Sequence, residues 1–415
     1  MCHLARVRLG SRPLAFALAF ATVCPSGGVA AGRHGSLDPT FGAGGIVISP
    51  IPPGASSAGI AFAPDGGFLL AIGDMADDLV VRRYTRAGHL DRSYGRDGAS
   101  AVVHGLGGQV AIAFQADGEV IVAAPTIDGQ HIFVARYGAD GALDAGFGQL
   151  GVATFTSSGS VRVTDAAVFG DGTVVVADSA LTIYRLTADG TLRDTVTGGA
   201  GTGVSALISN VAFGPGDRTF IAGLDGGPGV YLARLSPDLS PDATFGGGLV
   251  TVSLTTPAPF VTLFPRADGG AFVGYLDLDG RPYLVSVGPN GDAGPPVALE
   301  VWPLGLALQS DGSVVVGGSF QQSFVAWPGG VRGGPRHVLA VMRLDASLRR
   351  DDSFGKGGVV RVPGSQMSFL GVATTSDARI VVAAQRPTPP LKCGPSCVRA
   401  LRKRRHALVL VRFRQ

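Results

Sequence analysis

Short apolar stretches recur along the chain, each ending in an Asp-Gly pair and followed at once by a second apolar stretch. The pairs are Asp65-Gly66, Asp117-Gly118, Asp171-Gly172, Asp268-Gly269 and Asp311-Gly312, with degenerate copies at Gly216-Asp217 and Asp377-Ala378. Asp-Gly between two apolar runs is a strong hairpin signal, because the glycine supplies the backbone angles of a tight turn. The second stretch of each pair does not alternate, as at 120–123 and 314–316. A strand of that kind is predicted to be buried on both faces. Two further strands complete a unit. In the first copy the four are A (59–63), B (68–72), C (79–84) and D (99–103).

A second element, Leu-Asp-x-x-Phe-Gly, sits between C and D. It occurs as Leu37-Asp38 to Phe41-Gly42, Leu90-Asp91 to Tyr94-Gly95 and Leu143-Asp144 to Phe147-Gly148. With the leucine displaced it returns as Asp242 to Phe245-Gly246 and Asp351 to Phe354-Gly355. A four-stranded antiparallel unit repeated every fifty residues or so is the signature of a propeller blade. The expected fold is all-β: a seven-bladed β-propeller of four-stranded antiparallel blades, forming a single domain over 32–415. A D-type strand (45–49) opens this region and a C-type strand (407–413) ends it. The N-terminal strand should therefore complete the last blade and close the ring, removing two open sheet edges.

Strand C ends in Val-x-Arg-Tyr at Val81 to Tyr84 and Val134 to Tyr137. Together with Leu-Asp-x-x-Phe-Gly-x-x-Gly and the Asp-Gly hairpin, this resembles the delta-60 repeat family over 35–415. The resemblance implies a bacterial β-propeller and carries no general activity.

Composition agrees. There are 64 glycines and 27 prolines among 415 residues, nearly twice the ordinary share. Glutamate occurs twice (Glu119, Glu300) and lysine three times (Lys356, Lys392, Lys403). Helix-rich enzyme folds are thereby excluded, since helices draw on the residues this chain lacks. Arg6, Arg8 and Arg12 precede an apolar run at 14–23 and the small residues Val29-Ala30-Ala31. That layout reads as a signal peptide over 1–31, with a run too short to span a membrane. The protein is expected to be exported, periplasmic or extracellular, monomeric and not transmembrane. After cleavage Cys393 and Cys397 remain, and an oxidising compartment favours a disulfide between them. Cys24 lacks the residues of a lipid-attachment site.

Arginine ends strand C in six units: Arg83, Arg136, Arg185, Arg234, Arg343 and Arg412. In four of them an aspartate follows eight residues later, namely Asp91, Asp144, Asp242 and Asp351. An Arg–Asp pair pinning the C-to-D turn is the expected role, and Asp38 should serve Arg412 across the closure. The fifth unit has Ser286 and Gly294 at these two positions.

Chemical motifs fail on context. Residues 201–206 match a dinucleotide pattern but precede a strand, with no helix to hold a phosphate. Asp277-x-Asp279-Gly280 resembles part of a calcium loop, yet a hairpin explains it. His131, His337 and His406 start strand C on different blades and are not expected to converge on a metal. No cofactor, metal or catalytic residue is assigned.

Departures from the repeat carry the functional candidates. Two long B-to-C loops, 319–336 and 386–405, lie on adjacent units and one face. The first contains Phe324 and Trp327; the connection entering the same unit contains Glu300 and Trp302. Two tryptophans and a carboxylate on one rim suit a glycan or peptide, or they only pack the loop onto the propeller. The second loop holds Arg386, Lys392, Arg399, Arg402, Lys403, Arg404 and Arg405 without an acid. With a formal net charge of only +3 overall, the remaining propeller is net negative. The cationic run Arg399, Arg402, Lys403, Arg404 and Arg405 could hold an anionic polymer or touch a membrane surface peripherally. Nucleic acid is not an expected partner of an exported chain. The resulting expectation is a non-catalytic scaffold binding a protein, peptide or glycan. The alternative is a propeller hydrolase acting on glycans or lactones.

Overall fold

The computed structural model describes residues 34–50, 57–63, 65–73, 78–105, 110–115, 117–157, 159, 162–197, 209–224, 228–254, 256–258, 260–321, 337–362, 367–386 and 407–415. Strand β1 (Ile46–Pro50) comes first. Blade 1 is β2 (Ser57–Phe62), β3 (Phe68–Gly73), β4 (Asp78–Tyr84) and β5 (Val103–His104). Blade 2 is β6 (Ala111–Phe114), β7 (Val120–Pro125), β8 (His131–Tyr137) and β9 (Val152–Thr156); blade 3 is β10 (Val163–Val168), β11 (Val174–Asp178), β12 (Ile183–Leu186) and β13 (Leu192–Val196). Blade 4 is β14 (Ser209–Gly214), β15 (Arg218–Leu224), β16 (Gly229–Leu235) and β17 (Leu249–Ser253); blade 5 is β18 (Phe260–Pro265), β19 (Ala271–Leu276), β20 (Pro282–Val287) and β21 (Val297–Ala298). Blade 6 is β22 (Gly305–Leu308), β23 (Val314–Gln321), β24 (His337–Leu344) and β25 (Val359–Arg361). Blade 7 takes β26 (Ser368–Thr374), β27 (Ile380–Arg386) and β28 (Ala407–Phe413), and β1 is its fourth strand.

All seven sheets are four-stranded and antiparallel, as expected. The hairpins close where Asp-Gly stands. At the first, Asp65 Oδ1 accepts the Gly67 amide at 2.8 Å. The second strands β3, β7 and β11 are buried at every residue, which accounts for their unbroken apolar sequence. The fourth strand of blade 1 is shorter than its sequence suggests, being reduced to Val103–His104 with a single bridge from Ala99 to Arg82.

One apolar cluster fills each gap between neighbouring blades. Blades 1 and 2 meet through Leu69, Val81 and Val122; 2 and 3 through Ile121, Phe147 and Val176; 3 and 4 through Ala177, Ile183 and Ile221. Phe220, Phe245 and Val273 join 4 to 5, while Phe272, Val314 and Val316 join 5 to 6. Val315, Phe354 and Val382 join 6 to 7, and Phe41, Leu70 and Leu410 join 7 to 1. The ring is thus continuous. Burying one such side chain stabilises by about 1.5–3 kcal/mol, whereas an exposed ion pair contributes about 0–1 kcal/mol. Apolar interfaces therefore dominate.

Closure runs through β1, with Ile46 opposite Val411 and Pro50 opposite Ala407. The two ends also rebuild the turn that elsewhere joins the third and fourth strands. Arg414 donates its amide to Ser36 at 2.8 Å and Gly35 donates to Arg414 at 2.9 Å. In blade 1 the covalent turn makes the corresponding bonds, Thr85 to His89 and Gly88 to Thr85.

The Phe-Gly element locks five of the seven blades to the next. Its glycine amide donates to the third-to-fourth-strand turn of the following blade: Gly95 to Asp140 at 2.6 Å, Gly148 to Asp189 at 2.6 Å, Gly246 to Asn290 at 2.9 Å. Gly355 to His34 and Gly42 to Ala87 complete the set. In all five cases the receiving turn carries a glycine at positive φ pressed against the lock: Gly141, Gly190, Gly291, Gly35 and Gly88. A Cβ on Gly190 would lie 2.8 Å from the Gly148 nitrogen. Blades 3 and 5 lack Phe-Gly, and there the receiving turns of blades 4 and 6 carry Leu239 and Leu348 at φ of 66° and 60°. Both leucines pack into the vacated interfaces. Loss of the lock and gain of the leucine are thus coupled across blades.

Candidate functional site

The repeated arginines are consumed by the blade interfaces. Arg136 donates Nε to Asp144 at 2.6 Å and Nη1 to the Ala188 carbonyl of blade 3 at 2.6 Å, and its guanidinium lies 4.9 Å above the Phe147 ring. Arg234 repeats this with Asp242 at 2.8 Å, the blade 5 carbonyls of Gly269 and Pro289, and Phe245. Arg343 pairs with Asp351 over Phe354. Arg412 pairs with Asp38 at 2.8 Å over Phe41, as the eight-residue spacing predicts across the closure. Arg83 reaches both Asp65 at 3.0 Å and Asp91 at 3.5 Å.

The aspartates respond to this setting. For Asp144, the Gly146 amide is the largest influence and, with Arg136, holds the carboxyl below its usual range against a burial penalty. At Asp242 burial is the largest influence and raises the pKa, but Thr244 and Arg234 outweigh it and the net shift is downward.

Two blades depart from the rule. In blade 3 a bulge between Arg185 and Leu186 shifts the register, so Arg185 takes Asp194, nine residues on, at 2.6 Å. In blade 5 the Gly294 amide donates to the Ser286 carbonyl at 2.8 Å, as Asp242 does to Arg234, so the positions are equivalent although the pair is gone. A guanidinium arrives from another strand instead. Arg266, in the first hairpin turn, donates to Ser286 Oγ at 2.7 Å and pairs with Asp268 at 2.5 Å, 5.0 Å above the Phe272 ring.

Among the seven innermost strands one described carboxylate occurs, Asp165 on β10. Its Oδ1 accepts the Ala166 amide at 2.9 Å and its Oδ2 accepts the Phe213 amide of blade 4 at 3.0 Å. Burial pushes its pKa up to about 6, with the two amide bonds pulling the other way. An acid whose pKa is higher in the folded state than in the unfolded one stabilises the fold most while protonated. Its contribution therefore declines as pH rises from the ordinary value near 4 to about 6. Carboxyl-carbon NMR should show Asp165 titrating near 6 while Asp144 and Asp242 titrate below the ordinary aspartate range; an unshifted Asp165 would contradict the desolvated site.

On the rim, Trp302 is half-buried and lies just before β22. Its amide donates to the Ser319 carbonyl at 3.0 Å, the residue at which the 319–336 insertion begins. The approach is close: a Cβ on Gly318 would sit 1.7 Å from the Trp302 carbonyl oxygen. Glu300 is held by Arg350 at 2.6 Å, and Arg350 also pairs with Asp352 at 2.8 Å. Pairing continues to Gln321 opposite His337 and to Arg386 opposite Ala407, so the strands extend into both insertions. Phe324, Trp327, Cys393, Cys397, Arg399, Arg402, Lys403, Arg404 and Arg405 lie outside the described residues, as do residues 1–33 and 198–208.

The weaker motifs find ordinary roles. Asp277 closes the β19–β20 hairpin by accepting the Arg281 amide at 2.7 Å. His131 Nδ1 is 3.4 Å from Asp128. No helix among the described residues is long and apolar enough to cross a membrane.

Seven radially arranged four-stranded blades, closed by a strand from the other end of the chain, define a β-propeller. Residues 115–147 and 216–245 match the family described as a domain of unknown function (DUF5122) beta-propeller. Both segments contain an intact Arg–Asp–Phe set, Arg136–Asp144–Phe147 and Arg234–Asp242–Phe245. Among solved structures the chain is similar to the beta-propeller domain of Cps50 (Swd1) from Myceliophteria thermophila, with 10% identity and a TM-score of 0.50 over 88% of this chain and 99% of that one. At that identity the likeness concerns the fold alone. No curated protein matches by sequence.

Proposed function

We propose that this chain is an exported, non-catalytic propeller of the delta-60 repeat kind, binding a peptide or glycan through the face that carries its two insertions. The observation behind this reading is the bond from Trp302 to Ser319. It sets one tryptophan at the root of the loop bearing Phe324 and Trp327, on a ring whose repeated charges are already committed to blade interfaces. Loops held by a stapled scaffold diverge without cost to the fold. Export rests on the signal-like residues 1–31, with a Cys393–Cys397 disulfide formed in that compartment. The cations at 399–405 would add affinity for an anionic ligand.

Glycan and peptide arrays probed with the full chain provide the test. Trp327→Ala should abolish the binding found and leave the melting temperature unchanged, since an exposed aromatic contributes to a partner's contact area. A loss of about 3 kcal/mol or more in stability, the cost of removing a buried aromatic, would show that Trp327 packs the loop instead.

A further inference from the structure

Blade 5 leaves an opening where other blades place an arginine. In blade 4 the Arg234 guanidinium fills the space between its own strand end and the Gly269 and Pro289 turns of blade 5. The residue at that place in blade 5 is Ser286, and the facing turns of blade 6 carry Gly312 and Ala346. Between them lies a cavity of about 430 Å³, within the range of small-molecule sites. Phe272, Val314, Leu308 and Leu348 supply apolar walls, and Arg266, Ser286 and Asp268 stand at the polar end. Leu308 is 39% exposed here, on a strand where its neighbours are half-buried or buried.

We propose that this cavity binds a small carboxylate with an apolar body of a few carbons, the carboxylate being received by Arg266 and Ser286. Hydrogen-bonding capacity decides the sign of the ligand. Ser286 Oγ accepts from Arg266 Nη1, so the hydroxyl proton remains to be donated. A guanidinium has five N–H donors, of which Ser286 and Asp268 take one each in the described contacts. Both oxygens of Asp268 are engaged, Oδ1 by the Gly270 amide and Oδ2 by Arg266. Donors outnumber acceptors at the polar end: about three N–H groups of Arg266 and the Ser286 hydroxyl stand against about two lone-pair sites left on Asp268, and a carboxylate is the acceptor that matches that surplus. Arg266 is also held over Phe272 before any ligand arrives, which lowers the entropy lost on binding. The site lies at the hairpin-turn end of blades 5 and 6, opposite the insertions.

The test titrates hexanoate and hexanol into the full chain, followed by saturation-transfer NMR. Hexanoate should bind saturably and at least about tenfold more tightly than hexanol, a difference of about 1.4 kcal/mol. Arg266→Met should reduce hexanoate to the level of hexanol. Ser286→Arg with Gly294→Asp restores the arginine and aspartate of the other blades and should fill the cavity, abolishing both ligands in a protein that melts no lower than the original. Absence of saturable hexanoate binding in the unaltered chain overturns the proposal, and so does binding that survives Arg266→Met. Should the double variant fail to fold, Arg266→Met alone decides.

Discussion

Removal of residues 34–50 is expected to turn the protein into an aggregating species with its cooperative melting lost. The deletion takes away β1 and leaves β28 as an open edge from Ala407 to Val411, and an unpaired apolar edge templates association. It also removes Phe41 from the cluster joining blades 7 and 1. A point substitution isolates the electrostatic part. Asp38 is 1% exposed and pairs with both Arg412 at 2.8 Å and Arg379 at 2.7 Å. Asp38→Ala leaves the Arg412 guanidinium, 3% exposed, without its carboxylate, and breaking a buried pair in this way costs about 3–5 kcal/mol. Burial tends to raise the Asp38 pKa, but Thr40, Arg412 and Arg379 outweigh it and the net shift is downward. The stabilisation is therefore present above the unfolded value near 4 and is lost as pH falls below it. Acid should open the closure early. Size-exclusion chromatography and denaturant unfolding check both variants, and a monomeric truncation with unchanged melting temperature would refute closure by β1.

The second large effect concerns the turns that receive the Phe-Gly locks. Gly190→Leu should destabilise by about 2–5 kcal/mol: a leucine at positive φ costs about 1–2 kcal/mol, and forcing atoms into a filled interface adds about 1–3 kcal/mol. Leu239→Gly is the reciprocal change. Here a buried leucine is deleted at about 3–5 kcal/mol, offset by about 1–2 kcal/mol of relieved backbone strain, for a net loss of about 1–4 kcal/mol. Both substitutions should thus hurt, although each installs the residue that another blade carries at the same position. Urea titration measures them. Tolerance of Gly190→Leu within about 0.5 kcal/mol, the range of an innocuous surface change, would remove the coupling between lock and turn.

Much of this architecture is legible in the sequence because local signals and burial agree. Asp-Gly marks a hairpin wherever it stands, and an unbroken apolar run marks a strand covered on both faces. The Asp38–Arg412 pair was also within reach, since a spacing of eight residues carries over the closure once the ring is assumed. What stayed hidden has a common cause, namely partners set by register or by another strand. The bulge beside Arg185 changes eight residues to nine, and no spacing rule anticipates Asp194. Arg266 replaces a missing arginine from a different turn, twenty residues upstream of Ser286. Leu239 and Leu348 answer for motifs lost in the preceding blade. At the rim, topology alone places Trp302 beside the first insertion. The pairing of Glu300 with Arg350, across 50 residues, has no local signal.

The coupling between Phe-Gly and its receiving glycine makes the heritable module different from the visible blade. A blade transplanted whole would bring its own outgoing lock but meet a turn tuned to some other neighbour. Blade 2 placed before blade 4 would drive Phe147 and Gly148 against Leu239. Grafts or shuffled chimeras should instead be cut between the third and fourth strands, after the receiving glycine and before the Phe-Gly that follows it, so that each piece carries a lock together with the turn it engages. Lineages that gain or lose blades by duplication would be expected to break at the same seam, with the fourth strand of one blade travelling alongside the first three of the next.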